Sequence, residues 1–351
     1  MYSVLVTGGC GYIGSHTVLS LLEKGLNVYI IDSNENSSPL VLKRLLGILK
    51  NGNLKQKKNN LFFVKGDIRK KIDLERVFLL AQDNGHNINS VIHFAGLKAV
   101  KESFKFPILY WDNNLNGTIN LVKIMKKYNC KTLIFSSSAT IYSDSEGKDI
   151  KENFLINPTN PYGRTKASIE ILLNDIFLSD HEWRIINLRY FNPIGAHPSG
   201  EIGENPIGVP DNIFPLILKV ASKIIPKLEV YGNDWNTKDG TCIRDFIHVM
   251  DLADGHIAAL KYLQENKPQI LSLNIGTGVG HSVLDLIHIF QDVNNIEVPF
   301  LFKKRREGDQ EKVVANNSKI KATLNWEPQR SIKNMCLDGW KWQMMNPNGF
   351  S

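Results

Sequence analysis

The feature that most constrains the fold is a glycine-rich stretch near the start of the chain. The apolar run Val4–Val6 leads into four glycines between residues 8 and 14, and a helical pattern follows as far as Gly25. Strand, glycine turn and helix in this order are typical of the first βαβ unit of a dinucleotide-binding fold. The early glycines let the backbone approach a pyrophosphate, and Gly14 lets the helix pack close to the strand. A tight turn with only a structural role is the alternative.

An acidic residue follows the next apolar run at the spacing that a dinucleotide site requires. Val28–Ile31 ends in Asp32, about twenty residues beyond the glycines. A carboxylate there accepts hydrogen bonds from both hydroxyls of an adenosine ribose, and it repels a 2′-phosphate. The sequence therefore predicts NAD, rather than NADP, as the cofactor.

The bulk composition excludes several other classes of protein. The chain has 351 residues, 42% of them hydrophobic and 22% charged, which is enough for one large or two ordinary domains. No apolar run approaches the roughly 20 residues that span a bilayer, and we expect no signal peptide, because the first strand begins by Ser3 without a basic region before it. The four cysteines are scattered without metal-ligand or redox spacing. We therefore expect a cytoplasmic protein with buried or idle thiols, no bound metal and no membrane partner.

The net charge is +7, and much of the positive excess lies in three basic patches, Lys43 to Lys58, Arg69 to Lys71 and Lys303 to Arg306. Such patches are one mark of nucleic-acid binding, but no interleaved aromatic residues or nucleic-acid motif accompany them, so we expect no nucleic-acid partner. The first patch, Lys43 to Lys58, is better explained as a solvated loop, and it overlaps an expected exposed insertion at Lys50–Asn60. Part of the last patch, Lys303 to Arg306, is suited to an anionic substrate.

Short apolar runs alternate with amphipathic segments through the first half of the chain. This pattern predicts an α/β fold built on a doubly wound parallel (Rossmann) sheet with right-handed crossovers. The second half is less regular and predicts a smaller α/β substrate-binding domain, which includes a helix over Ile213–Ile225 that ends at Pro226. We expect domains at 1–186 and 187–351, with elements of the second returning to the first. The strands predicted for the main sheet are Ser3–Thr7, Val28–Asp32, Leu61–Val64, Ser90–Phe94, Thr132–Ser136 and Arg184–Arg189.

The spacing Tyr162-Gly-Arg-Thr-Lys166 predicts a catalytic pair if the segment is helical, because residues four apart lie on one face. A tyrosine of pKa about 10 is a poor base at neutral pH. The ammonium of Lys166 and the positive nicotinamide of NAD⁺ would both favour the phenolate, as proton removal from an alcohol requires. The alternative is a surface lysine on the first turn of a helix.

Polar residues at predicted strand ends extend this set, since ligands of such folds bind at the carboxyl edge of the sheet. Ser138 could hydrogen-bond the reacting sugar oxygen, although serines are also ordinary turn residues. His93 is better explained as a structural histidine, and Lys98 would lie near the ribose or the substrate. Asp67 is placed either to accept from the adenine amine or to act as a turn acid.

Candidates for binding a substrate diphosphate and sugar lie in the second half. Arg244 and Arg306 suit phosphate because a guanidinium provides paired charge-assisted donors, and Asp309 follows closely. Without the motifs in the first half of the chain, each of these three residues would be interpreted as a surface charge.

Together these motifs resemble the UDP-glucose 4-epimerase family of the extended short-chain dehydrogenase/reductase superfamily, over about residues 3 to 346. The resemblance is carried by Val6-Thr-Gly-Gly-Cys-Gly-Tyr-Ile-Gly-Ser-His16, His93-Phe-Ala-Gly-Leu-Lys-Ala-Val100, Phe135-Ser-Ser-Ser-Ala-Thr140, Tyr162-Gly-Arg-Thr-Lys166, Leu188-Arg-Tyr-Phe-Asn-Pro193, Gly195-Ala-His-Pro-Ser-Gly200, the segment Arg244 to Gly255, and Arg305-Arg-Glu-Gly-Asp309.

Carried over residue by residue, the resemblance implies three groups of site residues. Tyr162 is the base, Lys166 tunes it and Ser138 assists. The implied NAD site comprises Gly8, Gly11, Tyr12, Ile13, Asp32, Ser33, Asn36, Ser37, Asp67, Ile68, Phe94, Ala95, Lys98, Asn113, Ser138, Tyr162, Lys166 and Tyr190. The implied UDP-sugar site comprises Asn192, Asn212, Tyr231, Arg244, Arg306, Asp309 and Val313.

The resemblance also implies the reaction, a UDP-hexose as substrate and a homodimer, with Asn114–Tyr128 and Ser168–Phe177 as interface helices. Hydride passes from C4 of the sugar to NAD⁺, the 4-keto sugar turns, and hydride returns to the opposite face. Val313 stands where the family walls the sugar pocket near the 2-substituent. Its intermediate size leads us to expect some activity on UDP-N-acetylglucosamine, giving UDP-N-acetylgalactosamine.

Two other functions stay open from the sequence. A nucleotide-sugar 4,6-dehydratase or decarboxylase uses the same fold, but a dehydratase needs an acid and a base after the serine strand. Ala139, Thr140 and Ile141 follow Ser138 instead. A regulator that binds NAD or a nucleotide sugar without catalysis would not need Ser138, Tyr162 and Lys166 together.

Overall fold

The computed structural model describes residues 2–52, 60–143, 145–208, 210–306 and 308–350. Most of the expected insertion, residues 53–59, lies outside the described residues. The described part contains a seven-stranded parallel sheet with helices on both faces, together with a smaller α/β region. The predicted fold class is therefore confirmed.

The strands in chain order are β1 Ser3–Thr7, β2 Asn27–Asp32, β3 Leu61–Lys65, β4 Ile88–His93, β5 Thr132–Ser138, β6 Arg184–Tyr190, β7 Asn192–Ile194, β8 Leu228–Tyr231, β9 Ile243–His248, β10 Gln269–Ile275, β11 Gly280–Ser282, β12 Phe300–Lys303 and β13 Lys312–Val313. All six strands predicted for the main sheet are present, within two residues at either end.

The α-helices are α1 Tyr12–Glu23, α2 Leu40–Asn51, α3 Lys71–Asp83, α4 Val100–Lys105, α5 Pro107–Tyr110, α6 Gly117–Lys127, α7 Pro161–Ser179, α8 Ile213–Ala221, α9 Val249–Glu265, α10 Val283–Asn294, α11 Ser318–Leu324 and α12 Ile332–Met345. A π-helical turn, Trp111–Asn116, joins α5 to α6, and a 3₁₀ turn, Ala139–Ile141, follows β5. No helix in the described part of the chain is long and apolar enough to cross a bilayer.

The main sheet has the strand order β10-β6-β5-β4-β1-β2-β3, with every neighbouring pair parallel. Successive side chains of a strand point to opposite faces, so each buried strand supplies two cores. Val4 and Val6 enter the core beneath α1, α2 and α9, whereas Leu5 enters the core beneath α3, α6 and α7. Because all seven strands run in one direction, their carboxyl ends meet at one edge.

The smaller region packs around its own apolar core. Strands β11, β9 and β13 form one ladder with β7 joined to β9, and β8 pairs with β12. Helices α8, α10 and α12 cover these strands. Strand β6 crosses residue 186, and β10 of the second half is an edge strand of the main sheet. The division into domains 1–186 and 187–351 stays a prediction.

The helix expected over Ile213–Ile225 is shorter than predicted. It ends at Ala221, and Lys223 takes a left-handed φ of 60°. The amide of Ile224 donates to the carbonyl of Lys219 at 2.9 Å. This C-terminal turn ends the helix before Pro226 can do so.

Candidate active site

The glycine turn between β1 and α1 forms a cradle for an anion. Gly8 has a φ of +70°, and a Cβ there would lie 2.7 Å from the amide nitrogen of Ala95. Gly11 is the N-cap of α1, and no side-chain hydrogen bond caps that helix. The first amides of α1 are therefore left to an anionic ligand, as a pyrophosphate site requires.

Close packing holds this turn in place. A Cβ on Gly14 would lie 2.2 Å from the carbonyl oxygen of Gly8, so only glycine fits. Ile13 packs against the core beneath α1. The Tyr12 hydroxyl donates to the carbonyl of Gly195 at 2.6 Å, which ties the cradle to the second half of the chain.

The carboxylate of Asp32 is oriented by three donors. It accepts from the amides of Cys10 and Asn34, both at 2.9 Å, and from the hydroxyl of Ser37 at 2.8 Å. A carboxylate has about four acceptor sites, so capacity for a further donor remains. Ser33 and Asn36 lie in the same loop, with Ser33 half-buried and Asn36 exposed.

Asp67 lies beyond β3 and is held by its own turn. The Arg69 amide donates to its carboxylate at 2.9 Å, and the Arg69 guanidinium donates at 2.6 Å. Burial raises the pKa of Asp67, but the hydrogen bonds and charge of Arg69 outweigh it and leave that pKa below its ordinary value. The turn-acid role is thus present in the structure. Ile68 is buried against Gly117, where a Cβ would meet it at 2.5 Å.

The end of β4 lies beside the glycine turn. The amides of Phe94 and Ala95 donate to the carbonyl of Thr7 at 3.1 and 3.2 Å. His93 bonds the hydroxyls of Thr7 and Thr118 at 2.7 and 2.9 Å through its two ring nitrogens. Burial lowers the pKa of His93 to about 3, and the charge of Lys166 acts in the same direction. His93 is therefore the structural histidine that the sequence indicated.

The π-helical turn places two asparagines near this strand end. Asn113 is buried, as is Asn114. The Asn114 side chain accepts from the Leu97 amide at 2.8 Å and donates to Thr165 at 3.0 Å, a linking role that the sequence did not indicate. Lys98 lies apart, because its exposed ammonium pairs with Glu204 at 3.3 Å.

Ser138 ends β5 at the same edge and is 9% exposed. Its hydroxyl oxygen accepts from the amide of Thr140 at 3.2 Å and from the Thr140 hydroxyl at 2.9 Å. It also lies close enough to the Tyr162 side chain to oppose the rise in the pKa of that phenol. Ser138 is therefore both a turn residue and a neighbour of the expected base.

The start of α7 sets the position of Tyr162. Asn160 caps the helix by accepting from the Gly163 amide at 2.7 Å, and Pro161 occupies the first turn. The helical spacing then brings the Lys166 ammonium to the Tyr162 ring, 5.9 Å from its centroid. Lys166 donates to the carbonyl of Ser136 at 2.7 Å. The predicted one-face arrangement of Tyr162 and Lys166 is present.

The pKa of Tyr162 shifts in the opposite direction from the one expected. Burial raises it above the ordinary value of a phenol, and the hydrogen bond with Ser138 opposes this shift. Burial also lowers the pKa of Lys166 to about 7, with Glu170 opposing. Desolvation penalises both charges, so Lys166 alone does not make Tyr162 acidic in this structure.

Tyr190 ends β6 and stands in register with Ser138 of the neighbouring strand β5. Its hydroxyl bonds Nε2 of His256 at 2.5 Å, and the other ring nitrogen of His256 bonds the carbonyl of Leu252 at 2.7 Å. The ring of Phe94 lies 4.9 Å from that of His256. His256 on α9 thus joins two expected cofactor residues, which its distance in the sequence did not reveal.

The second-half candidates form one ionic cluster. Asp309 pairs with Arg306 at 3.1 Å and faces Arg244 at 3.8 Å. Arg244 also donates to the carbonyl of Gln310 at 2.9 Å, and the Arg306 guanidinium stacks over Tyr231 at 4.8 Å. The carboxylate of Asp309 therefore brings two phosphate-type donors together.

The remaining substrate-site candidates lie on different elements. Asn192 begins β7, and Asn212 is the exposed N-cap of α8. Val313 pairs in register with Arg244 and packs on the apolar cluster that includes Ile141, just beyond Ser138.

Comparisons with known proteins agree with this geometry. A family model described as GDP-mannose 4,6 dehydratase matches residues 5–338. UDP-glucose 4-epimerase 2 of Arabidopsis thaliana is 48% identical over 350 residues, covering 99% of this chain and 97% of that protein.

Two solved structures share the whole fold. The UDP-glucose 4-epimerase of Bifidobacterium longum in complex with NAD⁺ and UDP has a TM-score of 0.91 and 43% identity, covering 99% of both chains. That of Stenotrophomonas maltophila with bound NAD and formylated UDP-arabinopyranose has a TM-score of 0.92 and 40% identity, again covering 99% of both. The chain therefore belongs to the UDP-glucose 4-epimerase family of the extended short-chain dehydrogenase/reductases.

Proposed function

We propose that this protein is an NAD-dependent isomerase that interconverts UDP-glucose and UDP-galactose. The observation that carries the proposal is the meeting of Ser138, Tyr162 and Lys166 at the sheet edge that also holds the glycine cradle. Membership of the UDP-glucose 4-epimerase family and solved relatives with bound NAD support the same activity.

The residues present fit NAD. The uncapped start of α1 and the backbone of Gly8 suit a pyrophosphate, and the carboxylate of Asp32 suits ribose hydroxyls. When bound, NAD supplies a hydride acceptor for C4 of the sugar and then a hydride donor to the same carbon. Tyr190 and Phe94, joined through His256, are the walls proposed for the nicotinamide side.

Tyr162 is the base that takes the proton of the sugar 4-hydroxyl and later returns it. Its raised pKa suits the return step, because a phenol must be the proton donor when the hydroxyl is restored. For removal, the charged form of Lys166 stabilises the phenolate, and Ser138 orients the hydroxyl. Arg244 and Arg306 anchor the diphosphate while the 4-keto sugar turns.

A dehydratase is the nearest rival, since one family model bears that description. The 3₁₀ turn after Ser138 carries Ala139, Thr140 and Ile141, so no acid–base pair stands there for proton transfer at C5. The epimerase is favoured for this reason.

The deciding experiment incubates the purified protein with UDP-glucose and identifies products by proton NMR. We expect UDP-galactose without net change in NADH. A 4-keto-6-deoxy product, or no product from protein that retains NAD, would overturn the proposal.

A second activity on UDP-N-acetylglucosamine is proposed from Val313. Its side chain is half-buried beside Arg244 and leaves more room than a tyrosine or phenylalanine would. We expect a measurable rate on the N-acetyl sugar that Val313→Tyr abolishes while the rate on UDP-glucose persists. No N-acetyl turnover by the parent protein would overturn this second activity.

We also propose a homodimer. Apolar side chains are exposed on α4, α5 and α7, with Ile108 82% and Ile171 64% exposed. Sedimentation should give twice the chain mass, and Ile108→Glu should give monomer. Ile72→Glu, also on an exposed apolar residue but on α3, is the matched control. A monomeric parent protein would contradict the proposal.

The cytoplasm is the proposed location. All four cysteines are free and buried, so none of them forms a disulfide. This state suits a reducing compartment. Fractionation of cells with an antibody to the protein tests the location.

A further inference from the structure

A buried ion pair lies beneath the catalytic helix. Glu170 follows Lys166 by four residues on α7, and it pairs with Arg189 of β6 at 2.7 Å. Their side chains are only 7% and 5% exposed. Buried ion pairs are weak contributors to stability, because desolvation of two charges offsets their attraction. Stability alone therefore does not explain why an ion pair is buried beneath the catalytic helix.

All three guanidinium nitrogens of Arg189 donate hydrogen bonds within this cluster. Besides Glu170, the guanidinium donates to the Tyr142 hydroxyl at 2.7 Å and to the carbonyl of Glu152 at 2.8 Å. Tyr142 in turn donates to Asn274 of β10 at 2.6 Å. The cluster is thus a connected network rather than an isolated pair.

This network contacts both segments that carry the expected catalytic groups. Ser137, the residue before Ser138, donates its hydroxyl to Glu170. Tyr142 directly follows the 3₁₀ turn that Ser138 caps. Through Arg189, the network joins the turn after β5 to α7, and hence Ser138 to Tyr162.

Glu170 also provides the negative charge near Lys166. The Lys166 ammonium lies over the Phe135 ring at 4.8 Å and is buried. Burial lowers its pKa to about 7, and Glu170 is the charge that opposes this shift. The other ionisable groups around Tyr162, Lys166 and Glu170 are His93 from β4, Tyr110 from α5, Tyr190 and Arg189 from β6, and Tyr142 beyond β5.

We propose that Glu170, held by Arg189 and Ser137, is a positioning residue for the Tyr162–Lys166 pair. It fixes α7 against the strand that ends in Ser138, and its carboxylate keeps Lys166 in the charged form. This inference rests on the proposed roles of Tyr162 and Lys166.

The test is Glu170→Gln in the NAD-loaded protein, because the one side-chain oxygen of glutamine can still accept from Ser137 and from Nε of Arg189, while the negative charge is removed. Activity requires charged Lys166 and is lost as pH rises past the Lys166 pKa. Loss of the carboxylate lowers that pKa, so the alkaline limb of the kcat–pH profile should move to lower pH by about one unit. Asp175→Asn, which removes an exposed carboxylate from the same helix, should leave the profile unchanged.

A Glu170→Gln profile that coincides with that of the parent protein would overturn the inference. If the single variant does not fold, the double variant Glu170→Gln/Arg189→Gln removes both charges. Glu170 is the charge that acts on Lys166, so the limb should still move to lower pH, and an unmoved limb would again overturn the inference. An error in the assignment of Tyr162 as the base gives a different result from an error in the role of Glu170. If Tyr162 is not the base, Tyr162→Phe remains active whatever the Glu170 variant does.

Discussion

Gly163 stands against the carbonyl oxygen of Thr140, so closely that a Cβ at residue 163 would lie 2.7 Å from that oxygen. The contact brings the first turn of α7 against the turn that Ser138 begins. The absence of a side chain at Gly163 therefore helps to set the spacing between Tyr162 and Ser138.

Gly163→Ala should lower kcat. The added methyl group must push α7 away from the Ser138 turn, and misplacement of about 1 Å costs about 100-fold in rate. Because the shift should be smaller than or close to 1 Å, we expect kcat to fall roughly 10- to 100-fold. Gly47→Ala is the control, because no heavy atom lies within 4 Å of a Cβ there. Unchanged kcat in Gly163→Ala would show that this contact does not set the geometry.

Tyr162→Phe should lower kcat by about 10³-fold, since general base catalysis contributes about 10²–10⁴-fold. The ring and its packing remain, so NAD should be retained in the amount that the parent protein binds. NAD released on denaturation, measured by absorbance, tests retention. Tyr128→Phe removes a hydroxyl far from the site, where it donates to Glu75 at 3.3 Å, and should leave kcat unchanged. Near-parental turnover in Tyr162→Phe would refute the assigned base.

Asp309→Asn should weaken substrate binding more than catalysis. The Asp309 charge gathers Arg244 and Arg306, which the proposed function assigns to the diphosphate. We expect KM for UDP-glucose to rise about tenfold with kcat within about twofold, the signature of lost uniform binding. Asp234→Asn breaks the exposed pair with Arg305 and should change neither constant. A fall in kcat at unchanged KM would contradict this assignment.

The free energy of unfolding should fall as pH falls below about 6.5, the ordinary pKa of histidine. Burial lowers the pKa of His93 to about 3 and that of His256 to about 4. As the pH falls, these two histidines are therefore protonated in the unfolded chain before they are protonated in the folded protein. Stability is therefore full above the unfolded pKa and is lost as pH falls toward the folded values. Burial raises the pKa of Asp245 to about 6, so the folded protein binds this proton before the unfolded chain does. Asp245 therefore opposes the loss of stability by one proton, against the two protons of His93 and His256.

His93→Gln tests this dependence. The variant should reduce the slope of unfolding free energy against pH, between about 4 and 6, by about 1.4 kcal/mol per pH unit. Urea unfolding at several pH values measures the slope, and the exposed His181→Gln serves as the control. An unaltered slope would show that His93 does not remain neutral in the folded protein.

Local sequence alone determined the parallel sheet and the cofactor end of the site. Three features depend only on residues that are close in the sequence: the glycines between a strand and a helix, the acid after the next strand, and the tyrosine four residues before a lysine. Their geometry therefore follows from helix and strand periodicity. This is why Gly8, Asp32, Tyr162 and Lys166 could be placed before the structure.

Only the tertiary structure decided which groups those residues meet. Arg189 could not be assigned to Glu170 and Tyr142 from spacing, nor Asp309 to Arg244, because these partners are distant in the sequence. Burial also reversed the direction expected for the Tyr162 pKa, since desolvation depends on everything packed around a group. The sequence determined which chemical groups are present, and long-range packing determined their charges and their partners.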